Sequence, residues 1–326
     1  MKLAAQAELT PPARPTAHML GAATLGLTLL AVLLTPRTSR TPHPTVAPDA
    51  ADAHAARQLY ASTAMLAASV LSDSTLEHYR GGFENPGMFA PLASSALVLA
   101  CAARGAGRQP RSAPALPALP ALPFRAACAI GLAGLAFHSY NVLRRTGGLS
   151  WASLFYAAPL GAPAALSLAG MLGLAARAVG RGTPMLARLP RGRALGVLAA
   201  VGLAGTSLEA ALLHFRGAYQ HPAMWLPVTV PPVGAALLAL GALQAPARAS
   251  ARARLTRAWL GACMWLGLAG MGFHARGVAR QMGGWANWSQ NLLSGPPLPA
   301  PPSFSALALA GRAALALSMR EARELP

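Results

Sequence analysis

Four histidines recur at fixed spacing. His78 and His138 are 60 residues apart, as are His214 and His274, and the second pair follows the first at an offset of 136. Imidazole nitrogen is a ligand for copper, zinc, iron and haem iron, so matched histidines first suggest a metal or haem centre. Their surroundings are copied too. "GLAGLAFHSYNVLRRTGG" (Gly131 to Gly148) and "GLAGMGFHARGVARQMGG" (Gly267 to Gly284) share ten of eighteen residues. "LEHYRGGFENPGMFAP" (Leu76 to Pro91) matches "LLHFRGAYQHPAMWLP" (Leu212 to Pro227) at Leu, His, Arg, Gly, Pro, Met and Pro. Duplication copies a helix cap as readily as a ligand. Four histidines in register are therefore not four independent signals, and each taken alone reads first as a cap near the headgroups.

Acids and arginines accompany them. Asp73 and Glu209 align five residues before His78 and His214, about 7.5 Å deeper along a helix. A carboxyl inside a membrane span costs about 2.5–3.5 kcal/mol and needs a partner or a polar cavity. An acid of this kind orients histidines around metals from outside the ligand set; its structural alternative is a packing pair with Ser, Thr or Arg. Glu77 has no counterpart, because Leu213 stands in its place. Arg80, Arg144, Arg216 and Arg280 also match in pairs. They form either an electropositive vestibule, fit for an anion or haem propionates, or snorkelling anchors to lipid phosphate. Gly147–Gly148 and Gly283–Gly284 read as helix ends that turn the chain. Pro86/Pro222 and Met88/Met224 read as the start of the next helix.

The elements that position these residues follow from composition. Of 326 residues, 54% are hydrophobic and 11% charged, against about 25% charged in a soluble domain. The chain reads as an all-α polytopic membrane protein with about nine transmembrane helices: 17–35, 57–77, 88–103, 124–143, 155–177, 194–214, 225–245, 257–275 and 303–319. Abundant Ala, Leu and Gly with few β-branched residues favour closely packed helices over a barrel. Residues 1–56 hold the first span and an irregular loop at 36–56. Residues 57–192 and 193–326 form two four-helix repeats, each of two helix hairpins, within one membrane domain. An even number of spans per repeat makes the copies parallel. The arginines at 104–111, 177–193, 248–257 and 320–323 then share one face. The positive-inside bias makes that face cytoplasmic and places the histidines on the periplasmic side of a bacterial inner membrane.

The net charge of +18 is spread over short loops and does not indicate nucleic acid. Cys101, Cys128 and Cys263 have no CxxC spacing and frame neither disulfide nor thiolate site. No hydrolase, P-loop, dinucleotide or zinc-protease motif is present, so no catalytic residue is assigned. Three readings remain open: a metal- or haem-binding electron-transfer membrane subunit, a transporter or channel for a small solute or ion, and a non-catalytic anchor or assembly factor for a periplasmic protein partner. In each the surrounding partner is the lipid bilayer.

Overall fold

A computed structural model describes residues 49–107, 119–157, 159–244 and 250–324. The expected span at 17–35 lies outside them. The described chain is helical apart from one pair of two-residue strands, β1 (Met185–Leu186) and β2 (Leu189–Pro190), which pair antiparallel. Eight long helices are present: α1 (Ala50–Arg80), α2 (Phe89–Gly107), α3 (Leu122–Leu143), α5 (Gly161–Val179), α6 (Arg191–Arg216), α7 (Leu226–Leu243), α8 (Ala251–Ala279) and α10 (Pro302–Glu324). Two short helices, α4 (Trp151–Tyr156) and α9 (Trp288–Ser294), interrupt the loops after α3 and α8. Among the described residues, six helices are long and apolar enough to cross a membrane. α1 and α8, though longer, are not among these six.

Local chemistry sets the boundaries. α1 begins inside the expected irregular loop 36–56, because Asp49 caps it: its Oδ1 accepts from the Asp52 N–H at 2.9 Å. A capping carboxylate at a helix N-terminus satisfies an otherwise unpaired donor. The apolar pattern alone missed this start, and residues 50–56 are a correction to the expected loop. Phe155 and Tyr156 belong to α4, so the expected span 155–177 is corrected to start at Gly161. α1 and α6 end alike, with Gly81 and Gly217 following a His-x-Arg terminus. After each, Asn85 or His221 caps a 3-10 turn opened by Pro86 or Pro222. The paired glycines 147–148 and 283–284 all take positive φ, from +52° to +92°. This left-handed backbone is readily reached only without a Cβ.

Packing arranges these helices as two closed rings. α1 packs on α2, α2 on α3, α3 on α5, and α5 back on α1. α6, α7, α8 and α10 close in the same order. α1 therefore faces α3 across one ring's diagonal, and α6 faces α8 across the other's. The rings meet mainly through α1 against α10, lined by small buried residues such as Ala56, Ala67, Ala306 and Ala310. Hydroxyls bond main-chain carbonyls there, Ser62 to Ala306 at 2.6 Å and Ser69 to Pro299. Close approach through small residues and interhelical hydroxyl bonds is how helices associate where lipid offers no hydrophobic drive.

An ion network closes the end away from the histidines. Arg191, at the start of α6, is 5% exposed and binds Asp52 of α1 at 3.0 Å and Glu321 of α10 at 3.6 Å. Arg320 binds Asp49, Asp52 and Glu324. By sequence Arg191 reads as a loop cation and Arg320 as a tail cation; both are paired, among three helix ends. Breaking a buried pair leaves an uncompensated charge and costs about 3–5 kcal/mol, whereas replacing both partners by apolar groups is often neutral. Arg191→Met is therefore expected to lower the unfolding midpoint in detergent, and adding Glu321→Leu, which removes the carboxylate left without a cation, should recover part of the loss.

The Asp49 cap gives a pH dependence. The Asp52 N–H, with Arg320 nearby, holds the Asp49 carboxyl below its ordinary 3.8, against a smaller opposing effect of burial. Its stabilisation is complete above that ordinary value and is lost as pH falls through the lowered folded value. Asp49→Asn, which keeps a capping oxygen without the charge, should flatten stability against pH below about 4. An unchanged acid limb would show that Asp49 does not contribute.

Candidate functional site: two histidine pairs

Each of the four histidines stands near the C-terminus of a long helix, half-buried. Each turns its Nδ1 to a main-chain carbonyl on the returning chain. His78 bonds the Met88 carbonyl at 2.7 Å and His214 the Met224 carbonyl at 2.8 Å. His138 bonds Pro159 O, and His274 bonds Pro297 O at 2.7 Å. A carbonyl oxygen only accepts, so Nδ1 carries the proton in every case. The neutral ring then keeps its lone pair on Nε2, the arrangement that histidine ligands adopt around metals.

The rings come together in pairs across the diagonals. His214 and His274 lie with ring centroids 6.5 Å apart and planes at 66°. His138 and His78 stand near the C-terminal ends of α3 and α1, the two helices on the matching diagonal of the first ring. One couple is thus in ring contact, and the other two histidines stand on the matching diagonal of the first ring. Among the described residues no group of three or more His, Cys, Asp or Glu is placed to hold a metal ion.

Aromatic shelves back one histidine of each couple. His78 meets Phe83 edge-on, and Phe83 stacks on Phe89 at 4.5 Å. His214 meets Tyr219 edge-on, and Tyr219 stacks on Trp225 at 4.0 Å. Phe83 and Tyr219 are held at φ of +50° and +46°, where bulky side chains are strained and persist only when the surroundings fix them. The fixing contacts are these stacks and the bonds from the Phe83 and Tyr219 N–H groups to the carbonyls of His78 and His214, both 3.0 Å.

The remaining candidates are placed differently. Asp73 and Glu209 stand on α1 and α6, five residues before His78 and His214. Glu209 accepts from the Gly161 N–H at 3.1 Å. The groups that fix the imidazoles are carbonyls, in the position the sequence suggested for these acids. Arg80 donates to the Leu293 carbonyl and to Glu77. Arg216 donates to the Phe155 carbonyl at 3.1 Å and lies over the Tyr156 ring. Each therefore clasps the short helix of the opposite ring. Arg144 lies near Tyr140; Arg144 and Arg280 are exposed at the same end.

Several contributors escaped the sequence reading. The Met88 and Met224 carbonyls sit at positions already matched by the repeat, but a side-chain pattern does not disclose a main-chain acceptor. Pro159 and Pro297 escaped because their loops differ in length: they follow their histidines by 21 and 23 residues.

Compared with known protein families, curated proteins and solved structures, the chain matches none. What the fold defines is a class: its helical, apolar segments fit an integral membrane protein.

Two glycines let the histidine-bearing helices α3 and α8 approach α5 and the start of α10 closely. A Cβ on Gly131 would strike Ser167 and the Pro163 carbonyl of α5; one on Gly267 would strike Ser305 and the Pro301 carbonyl region of α10. Both lie on the histidine-bearing helices. Gly131→Ala and Gly267→Ala are each expected to lower the melting temperature in detergent. Gly205→Ala, which meets nothing within 4 Å, should leave stability level or raise it by up to about 1 kcal/mol. Equal effects at all three positions would contradict this packing.

Proposed function

We propose that this chain is an integral membrane electron-transfer protein carrying a transition-metal centre at each histidine pair, His78/His138 and His214/His274. The observation that carries the reading is the 6.5 Å approach of His214 and His274, with both Nδ1 atoms committed to carbonyls. A helix cap accounts for a histidine bonding a carbonyl but not for two imidazoles brought together from diagonal helices. Imidazole pairs suit redox metals, and the shared chemistry is one-electron exchange.

In this reading the chain is two parallel four-helix repeats following an extra N-terminal span, nine spans in all. The contacts supporting duplication recur at matched positions: His78–Met88 and His214–Met224, and Ser167–Cys128 O and Ser305–Met264 O. The arginine distribution places the C-terminus in the cytoplasm of a bacterial inner membrane and both centres on the periplasmic side. Electrons then pass to or from a periplasmic protein or a lipid-soluble carrier near that leaflet. Transport is less well supported, because the matched polar residues collect at one end of the helices.

Protein purified from membranes in mild detergent should show reversible redox titration of a metal-linked signal. His138→Ala and His274→Ala should each diminish it, while a preparation free of redox-active metal would overturn the proposal.

A further inference from the structure

Resting on the redox reading, we infer that the occupant of each pair is haem, ligated through both axial positions by His78 with His138 and by His214 with His274.

The argument is geometric. Iron–nitrogen bonds of about 2 Å on either side, with about 1 Å from Nε2 to the ring centre, separate axial imidazole centres by about 6 Å. The same bonds around a tetrahedral ion bring them to about 5 Å. The 6.5 Å between His214 and His274 matches the axial arrangement.

Ligand count points the same way. Zinc and copper sites draw three or four protein ligands. Each pair here supplies two imidazoles, with no third His, Cys, Asp or Glu grouped with them among the described residues. An ion with two protein ligands in trans needs its remaining positions filled by something the chain does not provide, and a porphyrin supplies four nitrogens in one plane.

The environment is also suited. The histidines stand on diagonal helices, so a flat group between them lies inside the ring of four and not against one helix pair. Stacked aromatics, Phe83 on Phe89 and Tyr219 on Trp225, give an apolar wall beside one ligand of each couple. Arg144 and Arg280, exposed at the same end, are matched cations available to the propionates. Both pairs have the same ligand chemistry, so the full chain takes one haem per half.

The test uses full-length protein purified from membranes and, where haem is incomplete, titrated with hemin. Pyridine haemochrome assay together with metal analysis is expected to give two haems per chain. Dithionite reduction should sharpen the spectrum into the split bands of six-coordinate low-spin haem. His138→Ala and His274→Ala should each leave one haem per chain, and the double variant none. His274→Gly should regain the low-spin spectrum on adding imidazole, which separates ligand loss from misfolding. Copper or another ion with redox activity but without haem would overturn the haem inference and leave the redox reading standing. Absence of both haem and redox-active metal would overturn the two together. Two haems retained in the double variant would overturn the ligand assignment.

Discussion

The hydrogen bond from a histidine Nδ1 to a main-chain carbonyl orders one whole end of this protein. It joins the last turn of a long helix to the chain that returns after the loop. It fixes the ring tautomer and leaves the lone pair of the neutral ring on Nε2. The bond recurs at four helix ends, with Met88, Pro159, Met224 and Pro297 as acceptors. The strained backbone at Phe83 and Tyr219, the Pro-opened 3-10 turns and the capping by Asn85 and His221 all bring a carbonyl within reach of an imidazole. A half-buried polar ring is stable here because its donor is satisfied.

The two ends of the helices are built on different principles. At the histidine end, contacts are paired between the halves: Arg80 reaches Leu293, and Arg216 reaches Phe155. At the other end Arg191, Asp52, Glu321 and Arg320 form a network with one copy per chain. The network ties the start of α1, the start of α6 and the end of α10 to one another. Glu209 on the Gly161 N–H adds a third tie, at a glycine whose Cβ would overlap the carboxylate.

Much of this was legible in the sequence. The offset of 136 identified four histidines, their flanking arginines and the paired glycines, because duplication preserves residue type. Apolar runs located the described long helices, with ends displaced by as much as a full turn or two, as at Ala50 and Gly161. The reading missed what depends on the main chain or on a loop of altered length. Asp49 and Asp52 looked like part of a polar linker, since a cap lies outside the apolar period it starts. Arg191 looked like one more loop cation, since partners at Asp52 and Glu321 are distant in sequence. Periodicity put the histidines at one end of the helices; it did not divide them into two couples, which follows from the order in which the helices close each ring.

The central claim is that the imidazoles of each pair face one another across a shared occupant. The most direct measurement is an experimental structure of the protein purified from its membrane with its native contents. The account predicts planar density between His214 and His274, and between His78 and His138, with both Nε2 atoms directed at its centre. Rings in direct contact with nothing between them, or Nε2 atoms turned toward lipid, would contradict it.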